Sequence, residues 1–392
     1  MKENSGDITR ILIAAALRNF AFGLLSVGIG VALAQAGLAL VWIGAVFTVA
    51  LLAAGILSGS SGRIAHRFGR RRTLLILASA MAAGCLLLST GSLVLVLVAA
   101  LFATFSPSGK DVGPMLPLEV ASLAEVLPSA RRTHVYSRYN MLAALLSALG
   151  ALAAAYLPAG RVAAMVAGGI GLVLLVPYAG LSPSVEPQHA QATKSPAGLQ
   201  RSRKRVFQLT ALFGVDALAG GFVVQGIAAV WLHARFGAPL LWIGPLFFLT
   251  NLGSALSLLA APWLARKIGL LSTMVFTHLP SNVLLLLVAF APNFPIAAAL
   301  LIARGLLSQL DVPTRQAYTM ALVDPAERTA AAGVTASVRG TAQAVSPLLT
   351  GIAMGMAAYG LPFALAGGMK ALYDLALYFV FRRVPLAEPE RS

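Results

Sequence analysis

Eleven ionisable side chains stand inside long apolar runs of this sequence: Arg18, Lys110, Asp111, Glu119, Asp216, Arg304, Asp311, Arg315, Arg339, Lys370 and Asp374. A charge at the centre of a hydrocarbon layer costs at least about 2.5 to 3.5 kcal/mol, so each needs a partner, a cavity or a task. Six are basic and five acidic, the near balance that pairing would produce. Arg18 and Asp216 each lie about ten residues into their runs, roughly 15 Å at 1.5 Å per residue, which is near mid-membrane. They are expected to form an ion pair between two halves of the molecule, for which solute or proton competes. The bland alternative is a buried structural pair. Lys370 and Asp374 are spaced i, i+4 and are expected to pair locally.

Asp311 and Arg315 share that spacing within SQLDVPTRQAY, beside Gln309, Pro313 and Gln316. The stretch PSGKDVGPMLPLE carries Pro107, Gly109, Gly113, Pro114 and Pro117, which must kink or open a helix and free backbone carbonyls. Such breaks mark either a moving, ligand-lined region or a charge cluster that holds the halves together. Glu119 is a candidate proton carrier, because low dielectric favours the neutral carboxyl. It equally suits an ordinarily ionised position at the cytosolic interface. Gln225, and His278 with Asn282, add polar lining, and a lone histidine in such a run reads first as a satisfied packing residue. No His, Cys or carboxylate group has metal-ligand spacing, and no phosphate loop, nucleophile elbow or dinucleotide fingerprint is present, so neither cofactor nor catalysis has sequence support.

The elements that carry these groups follow from composition. At 392 residues, 58% hydrophobic and 11% charged, with mean hydropathy +0.84, the chain is a polytopic membrane protein. A net charge of +16 would suggest nucleic acid in a soluble protein, but no stretch is long and polar enough to present a basic domain. The single Cys85 lies in an apolar run and founds no disulfide framework. At about 20 residues per span, twelve spans are expected, near 9–34, 40–61, 73–90, 93–125, 135–158, 161–181, 206–232, 240–264, 270–290, 295–322, 331–357 and 361–381.

Charge orients them. Gly62 to Arg72, GRIAHRFGRRR, packs five arginines and a histidine between two apolar runs and so marks the cytosolic face. With both termini on that face, 21 of the 29 basic residues fall on it and only Arg161 and Arg235 lie in outer loops. The Pro- and Ser-rich stretch 182–205 reads as a cytosolic linker between an N-terminal half, 1–181, and a C-terminal half, 206–392. Its basic end suits anionic lipid.

The halves also repeat. Gly37, Trp42-Ile43-Gly44, Phe47, Gly69 and Asp111-Val112 recur 200 residues later as Gly237, Trp242-Ile243-Gly244, Phe247, Gly269 and Asp311-Val312. Matches in order at one offset indicate an internal duplication. Two parallel halves of this kind form a transporter architecture with a midplane path.

With the turn in place, the chain resembles the major facilitator superfamily, whose turn between spans 2 and 3 reads roughly G-x-x-x-D-R-x-G-R-R-x-[KR]. Gly62, Arg67, Gly69, Arg70, Arg71 and Arg72 match, and the second copy, PWLARKIGLLST, keeps the basic pair and Gly269. The resemblance implies an all-α membrane fold of twelve helices in two six-helix halves, and a gating role for Gly62, His66, Arg67, Gly69 and Arg70. His66 stands where the family has an acid. A protonated histidine there would meet the positive end of a helix dipole, so the latch is expected to be weak or pH-dependent. Span 5, SALGALAAAYLPAG, lacks the Gly-Pro step of drug–proton antiporters.

The reading is a secondary transporter of the bacterial inner (plasma) membrane. It moves a small organic or drug-like solute outward by alternating access, coupled to protons, with Arg18, Asp111, Glu119, Asp216, Gln225, Asp311, Arg315 and Arg339 along the path. The alternative is a proton symporter or uniporter that imports a small metabolite, for which Arg18, Arg304 and Arg339 leave an anion open. A receptor or scaffold of the same fold is the remaining class. Expected partners are solute, protons and membrane lipid, with no nucleic acid and no cofactor, and the expected state is a monomer.

Overall fold

A computed structural model describes residues 5–102, 105–110, 112–158, 160–186, 202–323 and 327–384. Among them there is no strand. In chain order the helices are α1 Ser5–Gln35, α2 Leu40–Phe68, α3 Arg70–Leu88, α4 Leu93–Leu101, α5 Met115–Val126, α6 Ser129–Ala153, α7 Arg161–Val173 and α8 Leu175–Ala179. After a short 3-10 turn at Pro183–Val185 come α9 Arg203–Gly221, α10 Gln225–Phe236, α11 Leu240–Ile268 and α12 Leu270–Val288. The chain continues through α13 Phe294–Leu307, α14 Asp311–Leu322, α15 Arg328–Gly355 and α16 Leu361–Phe381.

In hydrocarbon every backbone polar group must be satisfied within the chain, and an all-helical fold does that segment by segment. Nine segments among the described residues are long and apolar enough to cross a membrane. The expected spans near 93–125, 135–158 and 331–357 are not among the nine, for identifiable reasons. The first is broken between α4 and α5, where Pro107, Gly109 and Pro114 interrupt it. Helix α6 opens on Arg131, Arg132 and Arg138, and α15 is diluted by serine, threonine, glutamine and Arg339. Two other spans run through a break: α9 gives way to α10 at 222–224, and α13 to α14 at 308–310.

The duplication is visible in the backbone. Helices α2 and α11 are each 29 residues long, α3 and α12 each 19, and both pairs are offset by the 200 residues of the sequence repeat. Gly69 and Gly269 join them with the same conformation, φ 85° with ψ 151° and φ 84° with ψ 163°. A side chain would strain that left-handed φ. In both copies the next threonine hydroxyl, Thr73 or Thr273, donates to the glycine carbonyl, at 2.7 and 2.8 Å.

The chain forms two compact units, Met1–Ala190 with Val224–Asn251, and Gln191–Val223 with Leu252–Ser392. In the first, α1 packs along α6, α7 and α10. Its contact with α6 is backbone to backbone: a Cβ on Gly23 would lie 2.0 Å from the Ser147 carbonyl oxygen, and one on Gly150 2.0 Å from that of Phe20. Small residues at a helix crossing let dispersion act over a long seam, which is how membrane helices associate without a hydrophobic drive. In the second unit α9 packs on α15 and α16, and α12 on α13, α14 and α16.

Candidate functional site

Among the described residues of the first unit, one ion pair is buried on both sides. Arg18 from α1 meets Glu119 from α5 in a bidentate fork, Nη1 to Oε1 and Nη2 to Oε2, both 2.6 Å, and both residues have zero exposure. Tyr178 of α8 donates to Oε1 and Tyr139 of α6 to Oε2, each at 2.6 Å. Arg18 donates in turn to the two hydroxyls, at 2.8 and 3.1 Å. A planar guanidinium matched to a carboxylate whose oxygens are also filled by hydroxyls is the geometry in which a buried pair recovers its desolvation cost. Two expectations are corrected here. Arg18 takes Glu119 and not Asp216 as its counter-ion, because a carboxylate in the same unit reaches both of its forks. Glu119 is fully buried among the helices, where it holds this pair, and not at a solvent-exposed position. Neither tyrosine was singled out from the sequence, since an aromatic in an apolar run reads as packing.

Gln225 stands at the start of α10. Its Nε2 donates to Ser26 Oγ at 2.8 Å and its Oε1 accepts from Asn251 at 3.0 Å. Asp111 lies outside the described residues.

The basic turn is built differently from its sequence pattern. His66 and Arg67 are exposed on the last turn of α2, with the Arg67 guanidinium 5.5 Å from the Phe68 ring centroid, and Gly62 is exposed one turn before. Gly69 ends α2 by donating to the Ala65 carbonyl at 2.8 Å. The carboxylate comes from Glu186, which follows the 3-10 turn. It accepts the backbone N–H groups of Arg70 at 2.7 Å and Arg71 at 3.0 Å, at the N-terminus of α3. Arg70 then reaches Glu125 at 3.2 Å and the Val185 carbonyl at 2.8 Å. An anion at orphan N–H groups and at the positive dipole end is a favourable cap of α3. Residues 182–186, expected to open the linker, are thus docked. Glu186→Ala is expected to lower stability by about 0.5–2 kcal/mol, the usual effect of losing a helix cap. Thermal unfolding in detergent checks this, and an unshifted midpoint would contradict it.

The second unit gathers the remaining charges around Asp216 of α9, itself 3% exposed. Lys370 of α16 donates to its Oδ1. Arg315 of α14 reaches Oδ2 at 3.1 Å, and Arg339 of α15 reaches the same oxygen at 3.5 Å. Arg315 also keeps its i, i+4 contact to Asp311, 3.4 Å, as the spacing predicts. The Lys370–Asp374 pairing predicted on the same spacing is absent: the lysine turns to Asp216, and Asp374 is held by His278 Nδ1 at 2.9 Å and Asn282 Nδ2 at 2.8 Å. A neighbouring helix offers each group a shorter approach than its own helix does. Arg304 of α13 lies within electrostatic reach of Asp216 and Asp311, and its buried Nε has no hydrogen-bond partner among the described residues. The guanidinium carbons of Arg315 and Arg339 stand 5.6 and 5.9 Å from the Phe213 ring centroid. Their side chains are 13% and 31% exposed, so the cluster opens on this side. Of the predicted residues, Asp216, Asp311, Arg315 and Arg339 come together here, while Arg18, Glu119 and Gln225 belong to the first unit. Among the described residues no group of His, Cys, Asp and Glu could hold a metal ion.

Comparison with known proteins places this architecture. The sequence model of the Major Facilitator Superfamily matches residues 11–281. An uncharacterized membrane protein of Saccharomyces cerevisiae is 25% identical over 362 residues, 81% of each chain. Among solved structures, the nucleoside transporter NupG matches 96% of this chain and 99% of its own, with TM-score 0.76 and 13% identity. The D-xylose–proton symporter matches 97% and 99%, with TM-score 0.71 and 15% identity. The human organic anion transporter MFSD10 matches 96% and 100%, with TM-score 0.64 and 18% identity. At these identities the structures speak for the fold alone, and the sequence match over most of the chain speaks for descent. The chain belongs to the Major Facilitator Superfamily, as an integral membrane protein of its transporter fold.

Proposed function

We propose that the chain is a proton-coupled secondary transporter that carries a small organic anion, with the cluster around Asp216 as its binding and coupling site. One observation carries this reading, the charge count of that cluster. Among the described residues four cations, Arg304, Arg315, Arg339 and Lys370, gather at two carboxylates, Asp216 and Asp311, while Asp374 stands apart from them with His278 and Asn282. An uncompensated positive charge at this burial is costly, and one anionic group offsets it. Among the described residues Arg339 has a single hydrogen-bond acceptor, Asp216 at 3.5 Å, which leaves N–H donors for another acceptor. Paired guanidinium groups above an aromatic ring suit a planar carboxylate or a phosphate.

The same geometry gives the sense of coupling. Asp216 and an incoming anion compete for Arg315 and Arg339. When the anion takes them, Asp216 loses two of its counter-charges, and a proton neutralises the carboxylate left behind. Anion and proton are therefore bound together, which is symport, and the inward proton gradient drives uptake. This favours the anion-importing reading of the sequence over efflux. The asymmetry of basic residues supports a plasma-membrane location with both termini cytosolic. The solutes named for the structural neighbours differ from one another, so solute class rests on this chain's own side chains.

The test is uptake into proteoliposomes with an alkaline interior, using carboxylates, organophosphates, neutral sugars and nucleosides, and organic cations. An anion is expected to accumulate, and a protonophore to abolish the accumulation. Accumulation of a neutral or cationic solute instead, or extrusion driven by the same gradient, would overturn the proposal.

A further inference from the structure

We infer that His278, with Asp374 and Asn282, is a proton relay that loads and unloads Asp216. This rests on the proton-coupled reading above and names the residues that carry the proton within it. Helix α12 places His278 and Asn282 one turn apart, and α16 places Lys370 and Asp374 one turn apart. The packing of α12 on α16 turns these into two polar rungs facing each other. The imidazole bridges two carboxylates: Nδ1 is 2.9 Å from Asp374 Oδ1, and Nε2 is 4.0 Å from Asp216 Oδ1. Asn282 Nδ2 lies 2.8 Å from Asp374 Oδ2 and 3.0 Å from His278 Nδ1. His278, Asp374 and Asn282 are 4%, 1% and 0% exposed, so the proton they share is shielded from water.

Hydrogen-bond logic restricts where that proton can be. Asn282 turns its Nδ2 to Asp374, and with that carboxylate ionised the opposite orientation would set Asn282 Oδ1 against a carboxylate oxygen. With Nδ2 beside Nδ1, two arrangements remain. Either Nδ1 carries hydrogen and donates to Asp374, or Nδ1 is a bare acceptor and Asp374 carries the hydrogen. One proton sits between Nδ1 and Oδ1 in both. Asp374 is the one carboxylate of the cluster that, among the described residues, touches no lysine or arginine, so holding a proton there breaks no ion pair. Asp216 holds three cationic partners until an anion takes two of them.

The transfer balances through the ring. The Asp374 carboxyl O–H passes its proton to Nδ1 while Nε2–H passes its own to Asp216 Oδ1. One proton leaves Asp374, one arrives on Asp216, and the imidazole changes tautomer without net charge. The 4.0 Å gap at Nε2 closes as Asp216 turns from its arginines. Groups on every helix packed around the ring take part in setting this balance: Asp216 from α9, Lys370, Tyr373 and Asp374 from α16, Asp311 and Arg315 from α14, and Arg304 from α13, with Arg339 of α15 acting through Asp216. The tyrosine ring meets the imidazole edge-on, 6.1 Å between centroids.

His278→Gln and Asp374→Asn keep shape and hydrogen bonding but cannot pass a proton. Each is tested in proteoliposomes with whichever solute the wild type carries, by gradient-driven accumulation and by solute exchange at equal pH on both sides. Loss of accumulation with retained exchange is expected for both variants. Accumulation equal to wild type in either variant overturns the relay, as does loss of both activities in a protein whose thermal midpoint is unchanged, and so does a wild type that ignores the pH gradient. A wild type that carries a neutral solute overturns the anion reading, yet the comparison of variants still decides the relay. Should both variants unfold, imidazole 15N shifts of the wild type during solute titration decide instead: a changed tautomer or protonation of a buried histidine is expected, and unchanged spectra overturn the relay.

Discussion

Glu119→Gln is expected to destabilise the protein by about 3–5 kcal/mol, the cost of leaving a buried charge without its counter-ion. Arg18 has zero exposure, and among the described residues it meets Glu119 in a two-fold contact at 2.6 Å. The amide would keep a hydrogen bond and remove the charge. The decisive comparison is with Glu119→Met and the double variant Arg18→Met/Glu119→Met. Removing both charges removes the mismatch that the single variant creates, so the double variant is expected to be more stable than Glu119→Met alone, a strongly non-additive cycle. Denaturant unfolding in mixed micelles measures it. If the single variants cost under about 1 kcal/mol and add, the brace reading of this pair fails and Glu119 regains its standing as a proton carrier.

Asp216→Asn is expected to abolish gradient-driven transport. Three cations lean on that carboxylate, so the substitution also strands charge and is expected to reduce folding yield. Pairing it with Lys370→Met removes one of the stranded cations. The double variant is expected to recover yield and to remain unable to accumulate solute, which separates the coupling role from the structural one. Recovery of accumulation in the double variant would show that the carboxylate serves only to neutralise the lysine.

The fold was legible in the sequence to the extent that it depends on hydropathy, breakers and repetition. The 200-residue offset reappears in α2 with α11 and in α3 with α12, and the proline and glycine cluster after α4 interrupts its span as sterics require. Pairing of the buried charges was less legible. Spacing along one helix placed Asp311 beside Arg315 correctly, but it paired Lys370 with Asp374, where neighbouring helices offer better partners to each. Which groups meet between helices depends on rotation and tilt, and these are set by backbone contacts such as those at Gly23 and Gly150, which the spacing of charges does not encode. Glu186 was hidden for another reason: it sits in a Pro- and Ser-rich stretch that reads as linker, and only the chain's return to α3 gives it a role. A signal for His278 was present. A histidine and an asparagine one turn apart in an otherwise apolar run, with a lysine and an aspartate one turn apart in another, make two polar rungs that are most simply satisfied by facing each other.

The central claim is that anion and proton are bound together around Asp216. It is tested most directly by recording external pH while an anion that the protein carries is added to lightly buffered proteoliposomes. The account predicts that the medium turns alkaline in step with solute entry, and that neither change occurs with Asp216→Asn. Acidification of the medium during anion entry, or entry without any pH change, would contradict it.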